Sequence, residues 1–206
     1  MKPLFLSIEG CDGSGKSTAI DYINTYLQQR GRRTIVLRAM GSGIVGEKVR
    51  ECLFDHYLTD TIAAVACATA ILDAYKNAYE YLNNGVSVIM DRGVPTYFAY
   101  NVIANKDPGA GIILSQLLNS NVLIPRKPDK TFYIDIDAEQ AINRIQIRQG
   151  ELTHLDTKPI EYFETVIKSL VDFLSTYPQY HGWLIDNRKD VTSMQKQLSI
   201  NLDNLL

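Results

Sequence analysis

The sequence predicts an α/β fold with a parallel five-stranded sheet covered by helices on both faces. Three observations carry that reading. Short apolar runs of strand length alternate with helix-period segments from one end of the chain to the other. The runs are continuously apolar, as strands buried on both faces must be. The first of them, Leu4–Ile8, runs straight into Gly10-x-x-x-x-Gly15-Lys16-Ser17 and then into a helical pattern carried by Ile20, Tyr22, Ile23, Tyr26 and Leu27.

That order of buried strand, glycine-rich turn and helix start is the context of a phosphate-binding loop, and it narrows the fold to the three-layer P-loop NTPase class. Glycines let backbone N–H groups turn inward around a polyphosphate, and the helix that follows presents its positive end to the same anion. The candidate nucleoside triphosphate-binding residues are Gly10, Asp12, Gly13, Ser14, Gly15, Lys16, Ser17 and Thr18. Lys16 supplies a point charge for the terminal phosphates, and the Ser17 hydroxyl can hold Mg²⁺.

Gly31-Arg32-Arg33 ends the first helix, and Thr34–Leu37 reads as a second strand. Gly41-Ser42-Gly43 turns into a helix over Val45–Phe54. Ile62–Leu82 is a long helix whose start is apolar on every side, which predicts burial in the core or against another subunit. Asn83-Asn84-Gly85 breaks it, and Val86–Met90 is a third strand ending in Asp91-Arg92-Gly93. From Pro95 the chain is helical through Tyr100 and Ile103. A loop at Asn105–Gly109 precedes a helix over Ile112–Leu118. Thr131–Ile136 is a fourth strand, Ala138–Ile147 a helix, and the aperiodic polar stretch Arg148–Lys158 a surface loop. Pro159 suits the first turn of a helix running to about Leu174. Trp183–Ile185 is the last strand, and Met194, Leu198, Leu202 and Leu205 mark a final helix. Residues 1–206 read as one domain.

With 21% charged and 46% hydrophobic residues and a formal charge of −2, the chain has no general field for nucleic acid or an anionic membrane. Any anion must be met by local cations. Cys11, Cys52 and Cys67 form no framework, which suits a reducing compartment. The first strand begins almost at the N-terminus, leaving no room for a signal segment, and Ile62–Leu72 is too short to cross a bilayer. The expectation is a cytoplasmic protein.

Ligands of such a sheet gather at the carboxyl ends of the strands. Asp91, ending an apolar strand, is where a carboxylate would help hold Mg²⁺, so Ser17 and Asp91 are the candidate metal ligands. Arg92 beside it could grip a second phosphate in a bidentate way. Arg144 and Arg148 lie on one helix face at i and i+4. In phosphoryl transfer an arginine-bearing lid over the transferring group is a physical need, and residues 148–158 would form it. Lys16, Arg92, Arg144 and Arg148 are the candidate catalytic residues. His56, His154 and His181 are scattered, as surface residues would be.

The blocks IEGCDGSGKST, LRAMGSGIVGEKVR, DRGVPTYFAYN, PDKTFYIDID and RQGELTHLD followed by EYF together resemble thymidylate kinases, in the right order and over most of the chain. The DR-x-x-x-(Ser/Thr)-x-x-Ala-Tyr block is the most diagnostic. The resemblance implies an ATP- and Mg²⁺-dependent kinase of a (deoxy)nucleoside monophosphate, dTMP by default, acting as a homodimer. The missing arginine after Asp12 resembles the bacterial subgroup that carries its arginines in the lid. By the same resemblance the acceptor site would be built from Asp12, Arg38, Arg50, Thr69, Asp73, Arg92, Thr96, Tyr97 and Tyr100.

The chain also departs from the family. Arg38-Ala39-Met40-Gly41 stands where Arg-Glu-Pro-Gly is usual, and Thr153-His154 where Asp-Arg is common. Aligned on the long helix, Thr69 and Asp73 fall where the family has a thymine-stacking Phe and a carbonyl-binding Arg. A carboxylate accepts hydrogen bonds and would suit an exocyclic amine, with Tyr97 supplying a stacking surface. That leaves open dGMP, dCMP or dAMP as acceptor. A deoxynucleoside kinase and a non-catalytic nucleotide-binding protein also remain open. A GTPase is disfavoured because Asn105-Lys106-Asp107-Pro108 has Pro in the last slot of Asn-Lys-x-Asp.

Overall fold

Strand β1 (Phe5–Glu9) has all five residues buried and lies at the centre of the sheet between β3 (Ser87–Asp91) and β4 (Lys130–Asp135). Strands β2 (Thr34–Arg38) and β5 (Gly182–Asp186) form the edges, giving the order β2-β3-β1-β4-β5 with every neighbouring pair parallel. The sheet is the expected one. The computed structural model describes residues 2–54, 60–148, 153, 155–180 and 182–206.

Helices α1 (Lys16–Gln29) and α8 (Val191–Asp203) cover one face, where Ile20, Ile23, Leu27, Met194, Leu198 and Leu202 pack on Leu6, Ile8 and Phe132. The other face is covered by α3 (Asp60–Asn83), α5 (Pro108–Asn119) and α7 (Ile160–Thr176), in two adjoining clusters around Phe5, Tyr75 and Phe173 and around Tyr133, Ile145 and Phe163. Burial of such side chains stabilises by roughly 1.5–3 kcal/mol each, which fixes the layers.

Register sets up the site. Ile8 and Arg38 both pair with Asp91, so the carboxyl ends of β1, β2 and β3 finish level with one another. Helix α2 (Gly43–Phe54) follows β2, and α6 (Ala138–Ile147) follows β4.

Three elements differ from the sequence reading. The segment from Pro95 is a short α4 (Val94–Tyr97) that continues as a π-helix, Phe98–Ala104, closed by an Asn105 N–H bond to the Tyr100 carbonyl at 2.9 Å. Helix α5 starts at Pro108, because the Asp107 carboxylate accepts from the Ala110 N–H (2.9 Å) and caps it. The start of α3 is not buried all round within the single chain. Ala64, Cys67 and Ala68 are buried, but Ile62 is 53% and Val65 46% exposed. No helix among the described residues is long and apolar enough to cross a membrane.

Candidate active site

Gly10–Ser17 leaves β1 and wraps back to begin α1. Gly10, Gly13 and Gly15 all take positive φ (+152°, +77° and +93°). Gly13 has a second reason to be glycine: a Cβ there would lie 2.3 Å from the Ala141 carbonyl oxygen of α6. Gly15, left-handed at φ 93°, caps α1 without a side chain, so the first-turn N–H groups stay directed at the loop. Lys16 is buried, and its Nζ donates to the Cys11 carbonyl at 2.7 Å. Burial, and then Arg92, lower its pKa to about 8. Ser14 is fully buried with an unpartnered Oγ, while Ser17 and Thr18 are exposed on the first turn of α1.

Across the strand ends, Asp91 Oδ2 accepts from Arg38 Nε at 3.0 Å. Its Oδ1 is buried and has no hydrogen-bond partner. Among the described residues no group of three or more His, Cys, Asp or Glu side chains forms a protein-only metal cage. Mg²⁺ held on phosphates keeps several waters and needs only one or two protein oxygens, so Asp91 Oδ1 and the Ser17 hydroxyl fit that ion.

Arg92 is a non-glycine residue at φ 70°. Its Nη2 meets Asp12 Oδ1 at 2.6 Å and its Nη1 the Gly10 carbonyl at 3.3 Å, while the guanidinium carbon lies 5.5 Å from the Tyr100 ring centre. Burial opposes the Arg92 charge, but Asp12 and Tyr100 reverse this and hold the guanidinium above its usual range. Burial would likewise raise Asp12, but Arg92 and Lys16 outweigh it and bring the carboxyl to about 2. Arg50 completes a cationic cluster: burial lowers its pKa, and the Arg38 and Arg92 charges lower it further. Arg38 and Arg50 both pack against Gly41, whose added Cβ would lie 3.3 and 3.5 Å from their Cδ atoms. An Arg50 guanidinium destabilised by neighbouring cations is placed where a multiply charged anion would relieve it.

These groups open onto a cleft of ≈ 800 Å³. Arg50 and Arg92 stand on one side, with Tyr97, Tyr100 and Asn101 from α4 and the π-helix and Arg148 and Tyr162 from beyond α6. Of the predicted acceptor residues, Asp12, Arg50, Arg92, Thr96, Tyr97 and Tyr100 line the cleft, while Arg38, tied to Asp91, and Thr69 and Asp73 of α3 do not. The α3 residues on the cleft are Ala63, Cys67 and Ile71, one turn apart, the last two lying two positions before the aligned ones. Thr69 is exposed and donates to the Val65 carbonyl (3.0 Å), and Asp73 lies against Gly43 at the start of α2. Among the described residues no carboxylate from α3 faces the cleft, so the case for an amine-bearing base loses the Asp73 contact it was built on. Thr96 is also spent elsewhere, because its hydroxyl donates to Glu9 Oε2 at 2.6 Å. Tyr97 does line the cleft, 1% exposed.

Arg144 and Arg148, expected to act together, diverge because α6 ends at Ile147 and Arg148 turns to an extended backbone. Arg144 donates to the Asn187 carbonyl at 2.9 Å, with Nη1 3.7 Å from where a Gly15 Cβ would be, so it serves the glycine loop. Arg148 lines the acceptor cleft, tied to Asp156 at 3.0 Å.

The family model for thymidylate kinase matches residues 8–195. That span includes both anion sites. The chain belongs to the thymidylate kinase family. It is 29% identical over 203 residues to a thymidylate kinase of Caldanaerobacter subterraneus subsp. tengcongensis, covering 96% of this chain and 94% of that one. It is 28% identical over 208 residues to a thymidylate kinase of Francisella tularensis subsp. holarctica, covering 98% and 97%. As a member of that family it is a phosphotransferase acting as a nucleoside monophosphate kinase.

Three residues of this thymidylate kinase family member were not flagged by the sequence. Asn187, 2% exposed just past β5, donates from Nδ2 to the Ser14 carbonyl at 2.7 Å and steadies the glycine loop. Its place at a strand's carboxyl end was a usable signal. Asp156 accepts from the Thr153 N–H (2.8 Å) and hydroxyl (2.9 Å) as well as from Arg148, and nothing local in the sequence marks it. Glu9 is the third. His56, His154 and His181, and residues 149–152 of the predicted lid, lie outside the described residues. Asp107, in the GTPase-like Asn105–Pro108 stretch, is occupied as the α5 cap and by the Thr61 hydroxyl (2.9 Å).

Proposed function

We propose that this chain transfers the γ-phosphoryl group of ATP to the 5′-phosphate of dTMP, giving ADP and dTDP. The observation that carries the reading is a cleft lined by Arg50, Arg92 and the glycine-loop residue Asp12, whose carboxylate is held down by Arg92 and by Lys16 at once, so that the loop's cation and the strand-end arginine meet at one point. The relatives named thymidylate kinase supply the base. A monophosphate's second ionisation falls near about pH 6, so its attacking oxygen is already anionic at neutral pH and no general base is required. Positioning and charge neutralisation suffice. Arg92, braced by Asp12 and Gly10, holds the acceptor phosphate, and the loop N–H groups with Lys16 and Arg144 hold the donor.

Mg²⁺, held through Ser17 and Asp91, would neutralise charge on the donor phosphates. Arg148 with residues 148–158 would act as the lid that keeps water from the transferring group, within one domain spanning 1–206. The apolar, exposed Ile62 and Val65 support a homodimer built on the α3 face. Free Cys11, Cys52 and Cys67 support a cytoplasmic setting.

A coupled ADP-release assay across dTMP, dUMP, dCMP, dGMP, dAMP and thymidine tests the reading. The highest kcat/KM is expected with dTMP, with no turnover of thymidine. Preference for another monophosphate would overturn the base assignment, and turnover of thymidine the reaction class.

A further inference from the structure

We propose that Glu9 is a positioning residue for the acceptor phosphate, pinning the Arg92–Thr96 turn to the central strand so that Arg92 keeps its strained, phosphate-facing conformation. The inference rests on the reading of Arg92 as the acceptor's grip.

Glu9 is the last residue of β1 and is 1% exposed. Its Oε1 accepts from the Ser7 hydroxyl of the same strand at 2.7 Å, and its Oε2 accepts from the Thr96 hydroxyl of α4 at 2.6 Å. Both bonds have the short length of charge-assisted pairs. Between these anchors the chain passes Gly93, where an added Cβ would lie 3.3 Å from Glu9 Oε1 and 3.0 Å from the Tyr75 hydroxyl. The carboxylate thus packs directly on the residue after Arg92 and hydrogen-bonds the fourth residue beyond it.

Arg92 needs such bracing. A left-handed conformation is unfavourable for a residue with a Cβ and persists where the surroundings over-determine it. On the strand side, the Arg92 N–H donates to the Ile8 carbonyl at 3.0 Å. On the cleft side, its guanidinium is held by Asp12 and the Gly10 carbonyl. The helix side is held by the Thr96–Glu9 bond, which fixes where α4 begins. Without it, the turn can relax toward ordinary backbone geometry and carry the guanidinium away from the cleft.

A carboxylate here is costly. Burial takes it from water, the Thr96 and Ser7 hydroxyls and Arg92 offset this in part, Asp91 opposes its charge, and the Tyr180 hydroxyl nearby is buried without a partner. An apolar residue would fill the space without that cost but could not hold Thr96. At its Ser14 end the glycine loop is held by Asn187, itself bonded by Arg144, and neither bond involves Glu9.

The test compares Thr96→Val, Glu9→Leu, the double variant, and the conservative Thr96→Ser and Glu9→Gln, with KM for dTMP and for ATP, kcat, and the dTMP Kd by calorimetry. Thr96→Val and Glu9→Leu are expected to weaken dTMP by about tenfold, the size of loss a displaced positioning group produces. KM for ATP should stay within about twofold, since the Ser14–Asn187 and Lys16–Cys11 bonds that hold the donor end of the loop involve neither Glu9 nor Thr96. The double variant should lose little more than either single one, because both break the same pin. Thr96→Ser and Glu9→Gln should recover most of the affinity, since a hydroxyl and an amide oxygen still pair. Thr96→Val, a near-isosteric change, keeps the test open if Glu9→Leu fails to fold. Unchanged dTMP affinity in Thr96→Val, or equal losses for dTMP and ATP, would overturn the inference while wild-type turnover leaves the reaction standing. Wild-type binding of dTMP without turnover would overturn the reaction, and the inference would then be decided by the Kd values.

Discussion

Glu9 and Asp12 stand three residues apart, and their carboxyls are shifted in opposite directions. Burial raises the Glu9 carboxyl from 4.5 to about 7, despite the Thr96 and Ser7 hydroxyls that lower it. Below pH 4.5 the group is protonated in folded and unfolded chains alike. Between 4.5 and about 7 the folded chain keeps a proton that the unfolded chain releases, so this residue's contribution to stability declines as pH rises through that window, by about 3 kcal/mol in all. Asp12, held at about 2 by Arg92 and Lys16 against burial, contributes stability above pH 3.8 that is lost only as pH falls toward 2. Thermal unfolding of the wild type and Glu9→Gln between pH 5 and 8 checks the sign. Glu9→Gln should gain in melting temperature relative to the wild type as pH rises, while an advantage that shrinks with pH would contradict it. A residue that costs stability when ionised and sits beneath Arg92 fits the pattern in which strain collects at functional sites.

At the scale of elements, the strand-end loops and helix starts make the site, and close approach between them leaves little tolerance. The Gly13 turn lies against α6 so closely that Gly13→Ala places a methyl group 2.3 Å from the Ala141 carbonyl, at a φ of +77° that also disfavours a Cβ. The loop must shift, so KM for ATP should rise by about tenfold or more, with a smaller change in KM for dTMP. Steady-state kinetics with each substrate varied in turn measures both, and an unchanged KM for ATP would refute the prediction. Most of this level was legible in the sequence, because glycine spacing, apolar runs and the Asp91-Arg92 strand end are local signals. The π-helix was not. Its defining bond, from the Asn105 N–H to the Tyr100 carbonyl five residues back, is announced by no period in Phe98–Ala104. Thr69 and Asp73 were misplaced for a related reason: an alanine-rich helix gives few marks to fix its phase, so an error of two residues rotates the presumed contact face away from the cleft.

For the molecule as a whole, the open question of Ile62 and Val65 becomes a matter of assembly. An apolar stripe at a helix start is buried or marks a contact, and within one chain this one is about half exposed. Light scattering at micromolar concentration should give twice the mass of one chain. Substituting both residues with glutamate should give a monomer, because two facing charged stripes lose apolar burial and repel one another. A wild type that runs as a monomer would remove the homodimer from the account.

The sequence alone determined the sheet, its covering layers, the phosphate loop and the family, because each is written in short-range patterns of apolar period, glycine placement and motif order. Only the tertiary structure decided which side chains share the cleft, that Arg144 lies beside the glycine loop while Arg148 lines the cleft, and that Glu9 reaches Thr96 across 87 positions of chain. Those pairings join residues from different strands and helices. They depend on register, helix phase and the turn at Arg92, which are set by packing between elements and by no single stretch of the chain.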